Sequence, residues 1–386
     1  MMNDQVIFKN ARIILKDEVI LGSVSVTHGM IDSIHPGMTS SKTGIDFEGD
    51  YLMPGMVEMH TDNFERHLMP RPKVSWAEIP ALLAHDAEIA SAGITTVFDA
   101  LGVGDADTDN VRGKGWEEVL SALATCDEQD LLRTDHHIHV RCELPAPNTV
   151  ELFRPFIDHP KLSLISLMDH TPGQRQWEDV EKARIYYTGK KGWSQAKFEH
   201  QVEHAFKLQE MYCAPHRKYF VDFCQANNIH LASHDDTTVD HVKQAHAEGA
   251  SMSEFPTTMQ AAHTAHDLGL LNVMGGPNVV RGGSHSGNVA ASDLARHDLL
   301  DIISSDYVPG SLISAVSRLV NDEILSLPKA ISTVTYNPAR ATGLTDRGLI
   351  KQGMRADLVR MRMISLKKTG SQAIVKTVWK KGQQIV

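Results

Sequence analysis

A chain of 386 residues, 42% hydrophobic and 22% charged, has room for one large domain plus a small one and the composition of an ordinary globular protein. Its net charge of −10 argues against a general nucleic-acid binder, which needs a basic face. No apolar stretch approaches the roughly 20 residues that span a bilayer, and residues 1–8 carry neither the basic start nor the cleavage site of a signal peptide. Cys126, Cys142, Cys213 and Cys224 form no Cys-x-x-Cys pair and read as reduced thiols, so a cytoplasmic protein is expected.

In chain order, residues 5–8, 11–15, 23–26 and 29–34 are short β-rich runs separated by turns. Residues 356–363 and 374–379 have the same texture, which predicts a small β-sandwich domain built from 1–53 and 346–386. Between them, over 54–345, the pattern is strand then helix. Apolar runs at 56–59, 95–98, 138–142, 162–168, 229–233, 252–255, 271–274 and 300–304 alternate with helix-like stretches such as 76–92, 116–126, 194–227 and 239–248. Eight such units predict an α/β fold, a (β/α)8 TIM-like barrel with its active site at the C-terminal ends of the strands. The alternative is a doubly wound open sheet, but no strand leads into a G-x-G-x-x-G turn.

The residues that end the runs carry the chemistry. The first gives His60 and Asp62, two positions apart and so on one face of a strand end. The later ones give Asp99, Glu143, Asp169 and His170, His234 to Asp236, Glu254, Asn278 and Asp306. Such a mixture suits zinc, manganese or iron, and a bridging carboxylate favours a pair of cations. The candidate ligands are His60, Asp62, Glu143, His170, His234 and Asp306. Asp235 and Asp236 precede Thr237, Thr238 and a helix-like run, and read as caps. Glu254 and Asp99 are expected to support the site or the fold, and His136, His137 and His139 to pack or face solvent.

A second group is cationic. Arg281, Gly282, Gly283 and His285 follow the seventh run, where arginine and glycine-freed backbone N–H groups could bind phosphate. Arg66, Arg71 and Lys73 follow the first run and Arg175 the fourth. Several cations on loops at one barrel mouth predict a small polyanionic substrate.

These residues resemble the amidohydrolase superfamily of metal-dependent barrel hydrolases, from Pro54-Gly55 at the entry to the first strand to Tyr336-Asn-Pro-Ala-Arg340 and the return through 348–358. The chain departs from the common pattern in having His-x-Asp for His-x-His and no lysine placed to bridge two metals. Glu143 would take that role. The match narrows through His60-Thr-Asp-Asn63, Met69-Pro-Arg-Pro-Lys-Val-Ser-Trp76, Arg141-Cys-Glu-Leu-Pro145, Ser166-Leu-Met-Asp-His-Thr-Pro-Gly-Gln-Arg-Gln176 and Ala232-Ser-His-Asp-Asp236. It continues through Glu254-Phe-Pro-Thr-Thr258, Gly276-Pro-Asn-Val-Val-Arg-Gly-Gly-Ser-His-Ser-Gly-Asn288 and Ser304-Ser-Asp-Tyr307. These blocks resemble the phosphonate-utilisation diphosphatases of the carbon–phosphorus lyase pathway, which split α-D-ribose 1-methylphosphonate 5-triphosphate into the 5-phosphate and pyrophosphate. The resemblance implies two divalent ions, zinc by preference, and Asp306 as the catalytic residue that orients water and takes its proton. The rivals are a C–N hydrolase of the same superfamily, such as a deacetylase of a phosphorylated sugar, and a non-catalytic binding subunit. A homo-oligomer is left open; nucleic acid and membrane are not expected as partners.

Overall fold

Each of the eight apolar runs forms a strand, and the strands pair in parallel in chain order: Met56–Thr61, Ile94–Val103, Asp135–Glu143, Leu162–Met168, His230–His234, Met252–Glu254, Leu271–Gly275 and Ile302–Ser304. This is a computed structural model, and it describes residues 5–71, 74–104, 115–175, 180–284, 287–367 and 370–386. The last strand meets the first through a parallel bridge between Thr61 and Asp306. Alternation sorts the apolar side chains onto two faces. Val57, Phe98, Val273 and Ile302 share one cluster inside the barrel. Their neighbours Met56, Val97, Met274 and Ile303 join a second cluster with Leu312, Val316 and Leu319 of helix Ser311–Asn321. The expected helices are present as Glu78–Ser91, Trp116–Glu128, Gln195–Asn227 and Val239–Ala247. None of the described helices is long and apolar enough to cross a membrane.

The two chain ends form a separate sheet. Its path runs Gln383–Gln384, Gly370–Lys380, Leu358–Leu366, Tyr51–Pro54, Gln5–Ile14, Val19–Thr27 and Met30–Pro36, with Ile45–Asp46 added beside Gln5–Ile14. Two runs expected as separate strands, 5–8 and 11–15, are one strand. The register shifts between Phe8 and Ala11, where Asn10 takes a positive φ of 56° and makes a bulge. Phe8, Phe47 and Trp379 pack ring against ring within this sheet's own core.

Helix Glu78–Ser91 is fixed to the barrel by buried charge. Asp86 accepts the backbone N–H groups of Arg133 and Thr134, at 3.1 and 2.9 Å, just before the third strand. His136 lies between Asp86 and Asp99, with Nδ1 at 2.7 Å from Asp99. Burial opposes a charge on His136, but the two carboxylates outweigh it and push its pKa up to about 9. His85 is held below the ordinary histidine value, by burial first, and its Nε2 lies 2.7 Å from Asp99. With that Nε2–H donated, Nδ1 accepts the Asn63 amide at 3.0 Å. The chain His136–Asp99–His85–Asn63 therefore runs from the helix anchor to the residue after Asp62. It replaces the expectation that His136 is a mere packing residue.

A folded-state pKa above the unfolded one makes the His136 contribution complete below about pH 6.5 and lost as pH rises toward 9. Denaturant titrations across that window should show wild type losing on the order of 2–3 kcal/mol. His136→Gln should start less stable at pH 6.5 and show a flatter alkaline limb. A parallel limb in the variant would contradict the ion-pair account.

Candidate active site

The seam that closes the barrel also builds the site. Asp306 donates its N–H to the His60 carbonyl and accepts the Asp62 N–H, both at 3.0 Å. Glu58, wholly buried, accepts the His60 N–H at 2.7 Å with one oxygen and the Ser305 N–H at 2.6 Å with the other. Burial pushes the Glu58 pKa up to about 7 against these two N–H donors. One carboxylate thus holds the backbone of His60 and of the residue before Asp306. Asp306 itself sits at φ 56°, so the chain turns sharply where its side chain enters the mouth.

Around that seam lies a cavity of about 390 Å³ lined by His60, Asp62, Arg141, His170, His234, Asp235, Arg281 and Asp306, among others. Two histidines have their Nδ1 atoms taken. His60 Nδ1 lies 3.1 Å from Glu254, and His170 Nδ1 lies 2.5 Å from Glu143. Each contact leaves Nε2 as the donor available to a metal, the arrangement by which carboxylates orient metal-binding imidazoles. His234 stands between them, its ring 5.6 Å from His60 and 5.8 Å from His170. Among the described residues both its nitrogens are buried without a hydrogen-bond partner. Its Nδ1 is 3.0 Å from Asp235, but the approach is out of hydrogen-bond alignment. A buried, unsatisfied imidazole amid histidines and carboxylates fits a divalent metal. Burial and the neighbouring Asp62 charge raise the Asp306 pKa, as suits a carboxylate that accepts a proton.

The predicted residues do not all serve as expected. His60, His170, His234 and Asp306 come together. Asp62 lines the cavity but is ion-paired with Arg141. Both Glu143 oxygens face His170, one on its backbone N–H at 2.9 Å and one on Nδ1, so the contacts Glu143 makes here are those of a partner that orients His170. Arg175 is buried, donating through Nη1 to the His234 carbonyl at 2.8 Å and to Asp236 at 2.6 Å; it clamps a strand end and is not among the residues lining this cavity. Arg66 turns outward to Glu88 at 2.9 Å, and Arg71 is exposed and away from the cavity lining. The expected glycine nest is the end of helix Gly276–Arg281. The N–H groups of Gly282 and Gly283 bond back to Val279 and Asn278, so neither is open to an anion. Arg281 does reach the cavity. Lys73 and His285 lie outside the described residues.

Two residues were missed. Asp235, read as a cap, is buried with φ 54° and turned to His234 and His170. Its partner Asp236 is the structural one, held by Arg175 and Ser253. Arg141 is the second, two positions before Glu143 on the same strand; that alternation was the available signal. A larger cleft of about 560 Å³ lies outside the barrel, but its Arg217 and Lys218 are paired with Glu248 and Asp222.

Comparison with known proteins places the chain in a family and agrees with its fold. The model of the amidohydrolase family matches residues 230–386. Over 381 residues the chain is 41% identical to the alpha-D-ribose 1-methylphosphonate 5-triphosphate diphosphatase of Escherichia coli strain K12, covering 98% of this chain and 100% of that protein. The chain belongs to the amidohydrolase family. Solved structures share the fold of this amidohydrolase at low identity. An N-acetylglucosamine-6-phosphate deacetylase from Pasteurella multocida superposes with a TM-score of 0.63 at 13% identity, covering 98% of this chain and 99% of its own. A 5-methylcytosine deaminase from Klebsiella pneumoniae, liganded with phosphonocytosine, gives 0.64 at 16%, covering 99% and 98%.

If Glu254 orients His60 for a metal, Glu254→Gln should weaken metal affinity about 10- to 100-fold while all ligands remain. Competition with a chelating dye measures this; an unchanged affinity would remove Glu254 from the site's support.

Proposed function

We propose that this amidohydrolase hydrolyses α-D-ribose 1-methylphosphonate 5-triphosphate to the 5-phosphate and pyrophosphate in phosphonate degradation. The observation that carries the reading is the 41% identity to the diphosphatase across the full length of both chains. The cavity supports it with two arginines, Arg141 and Arg281, beside a metal-type cluster. His60, His170, His234 and Asp306, with Asp235 beside them, would hold a divalent ion, zinc by the balance of imidazole and carboxylate donors. When bound, such an ion supplies Lewis-acid activation of water and of the phosphoryl group.

The chain's own residues do the rest. Asp306, raised in pKa, takes the proton from the attacking water. The water oxygen bonds to the α-phosphorus, and the bond to the bridging oxygen of the β-phosphate breaks. That electron pair leaves with pyrophosphate. Arg281, at the end of its helix and on the cavity rim, meets the β- and γ-phosphates and balances the charge that grows on them. Glu254 and Glu143 keep the rings of His60 and His170 in place during this change.

Hydrolysis in ¹⁸O-water, followed by phosphorus NMR, should place label in the ribose 5-phosphate product and none in pyrophosphate. Arg281→Ala should lower kcat/KM for the 5-triphosphate by about ten- to a hundred-fold, the cost of a charge-assisted contact, and less for a 5-diphosphate. Label in pyrophosphate would mean attack at the β-phosphorus. Cleavage of an amide with no triphosphate turnover would replace this reading with a deacetylase.

A further inference from the structure

The cavity holds a fixed cation that neither the metal motif nor the phosphate loops account for. Arg141 lies on the third barrel strand with its side chain only 12% exposed. Its Nη1 donates to Asp62, and its Nε lies 3.4 Å from the Met168 sulfur. Among the described residues Nη2 makes no hydrogen bond, although the residue lines the cavity. Beyond Asp62, the carboxylates of Glu65 and Asp306 lie within its electrostatic reach, as does that of Glu143. Burial disfavours its charge, but these acids, Asp62 first, more than compensate and keep it protonated.

Those same carboxylates would have to neutralise a second metal ion. Asp62 is already committed to the guanidinium, and Glu143 to His170. A dication beside a buried guanidinium would meet like charge in a medium that screens it poorly. On the cavity side the imidazoles of His170 and His234 face only Asp235, itself a carboxylate of metal-ligand type, and His60 has its Nδ1 on Glu254 and its Nε2 left over. The site is therefore divided, with metal-type donors on one side and an arginine–aspartate pair on the other.

We propose that Arg141 is the second cation of this centre and a catalytic residue. One divalent ion is held by the histidines and Asp306, and the Arg141 fork, steadied by Asp62, grips the oxygens of the phosphoryl group under attack. Planar guanidinium suits that task, since it presents paired N–H donors to two phosphoryl oxygens and stays charged throughout. Asp62 then acts as a positioning residue for Arg141. The inference rests on the phosphoryl-transfer reading above, but its metal count does not depend on which substrate is cleaved.

The test is metal content by mass spectrometry after dialysis against a fixed free zinc concentration, paired with kinetics on the 5-triphosphate. Wild type should hold one equivalent per chain. Arg141→Ala removes the competing charge, so its content should rise toward two. Its kcat/KM should fall about 10²–10³-fold, toward the effect of losing an arginine on a transferring phosphoryl group, and guanidinium ion in the assay should restore part of kcat. Arg141→Lys, which keeps the charge and the fold but not the fork, should stay at one equivalent with kcat reduced roughly tenfold or more. Two tightly held ions in wild type would overturn the proposal. So would near-wild-type kcat/KM, within about threefold, in both variants. A wild-type chain that holds one ion but leaves the 5-triphosphate intact would overturn the diphosphatase reading and Arg141's catalytic role together, while the single-ion division of the site would stand.

Discussion

Glu58 accepts the N–H of His60 with one oxygen and the N–H of Ser305 with the other, at the place where the barrel's last strand meets its first. A parallel barrel of short strands has few hydrogen bonds to spend on closure, and here the last strand spans only Ile302–Ser304. The Glu58 carboxylate and the exchange of N–H and C=O groups between His60, Asp62 and Asp306 supply them. Burying a carboxylate is costly, and two short charge-assisted bonds offset part of that cost, with the remainder appearing as the raised Glu58 pKa. The consequence is functional. The residues joined across the seam are the ones whose side chains, or whose neighbours' side chains, enter the cavity, so closing the barrel and setting the distance between His60 and Asp306 are one event.

From that seam outward, charge is arranged in pairs. Glu254 turns His60, Glu143 turns His170, and Asp62 steadies Arg141. The acidic residues therefore spend most of their hydrogen-bonding capacity on orienting cations and imidazoles, and the buried nitrogens of His234 have no hydrogen-bond partner among the described residues, only the Asp235 carboxylate nearby. On the outer side of the same strands, Asp86 and Asp99 hold His136 and His85 in a separate buried network that ends at Asn63, next to Asp62. The acidic net charge of the chain is thus compatible with a cavity that presents cations, because local pairing and not the total decides the field at the mouth.

The fold was legible because its signals are local and repeated: eight apolar runs, each a few residues long, fall on eight strands, and their ends converge whatever the loops do. His60, His170, His234 and Asp306 were legible for the same reason. Partner choice was not. Whether a cation faces substrate depends on which carboxylate the fold brings beside it, and Arg175 and Arg66 meet Asp236 and Glu88 across 61 and 22 positions of sequence. The glycines after Arg281 looked like a flexible nest, yet they finish a one-turn helix and consume their own N–H groups. Asp235 escaped because a carboxylate before two threonines is also a good cap, and only its positive φ turns it into the cavity. Arg141 shows the reverse case, a residue whose strand parity with Glu143 placed it in the mouth although it stood in the Arg141–Pro145 block without a role of its own.

The account makes the closing seam the support of the metal centre, and Glu58→Gln tests this directly. A glutamine can accept only one of the two backbone N–H groups and sets its own NH2 against the other, leaving a buried donor unmatched at about 1–3 kcal/mol. Zinc affinity measured by competition titration on the folded variant should weaken by roughly five- to a hundred-fold, with the native fold retained by circular dichroism. Wild-type zinc affinity in Glu58→Gln would contradict the account, because it would mean that His60 and Asp306 keep their places without the carboxylate that joins their strands.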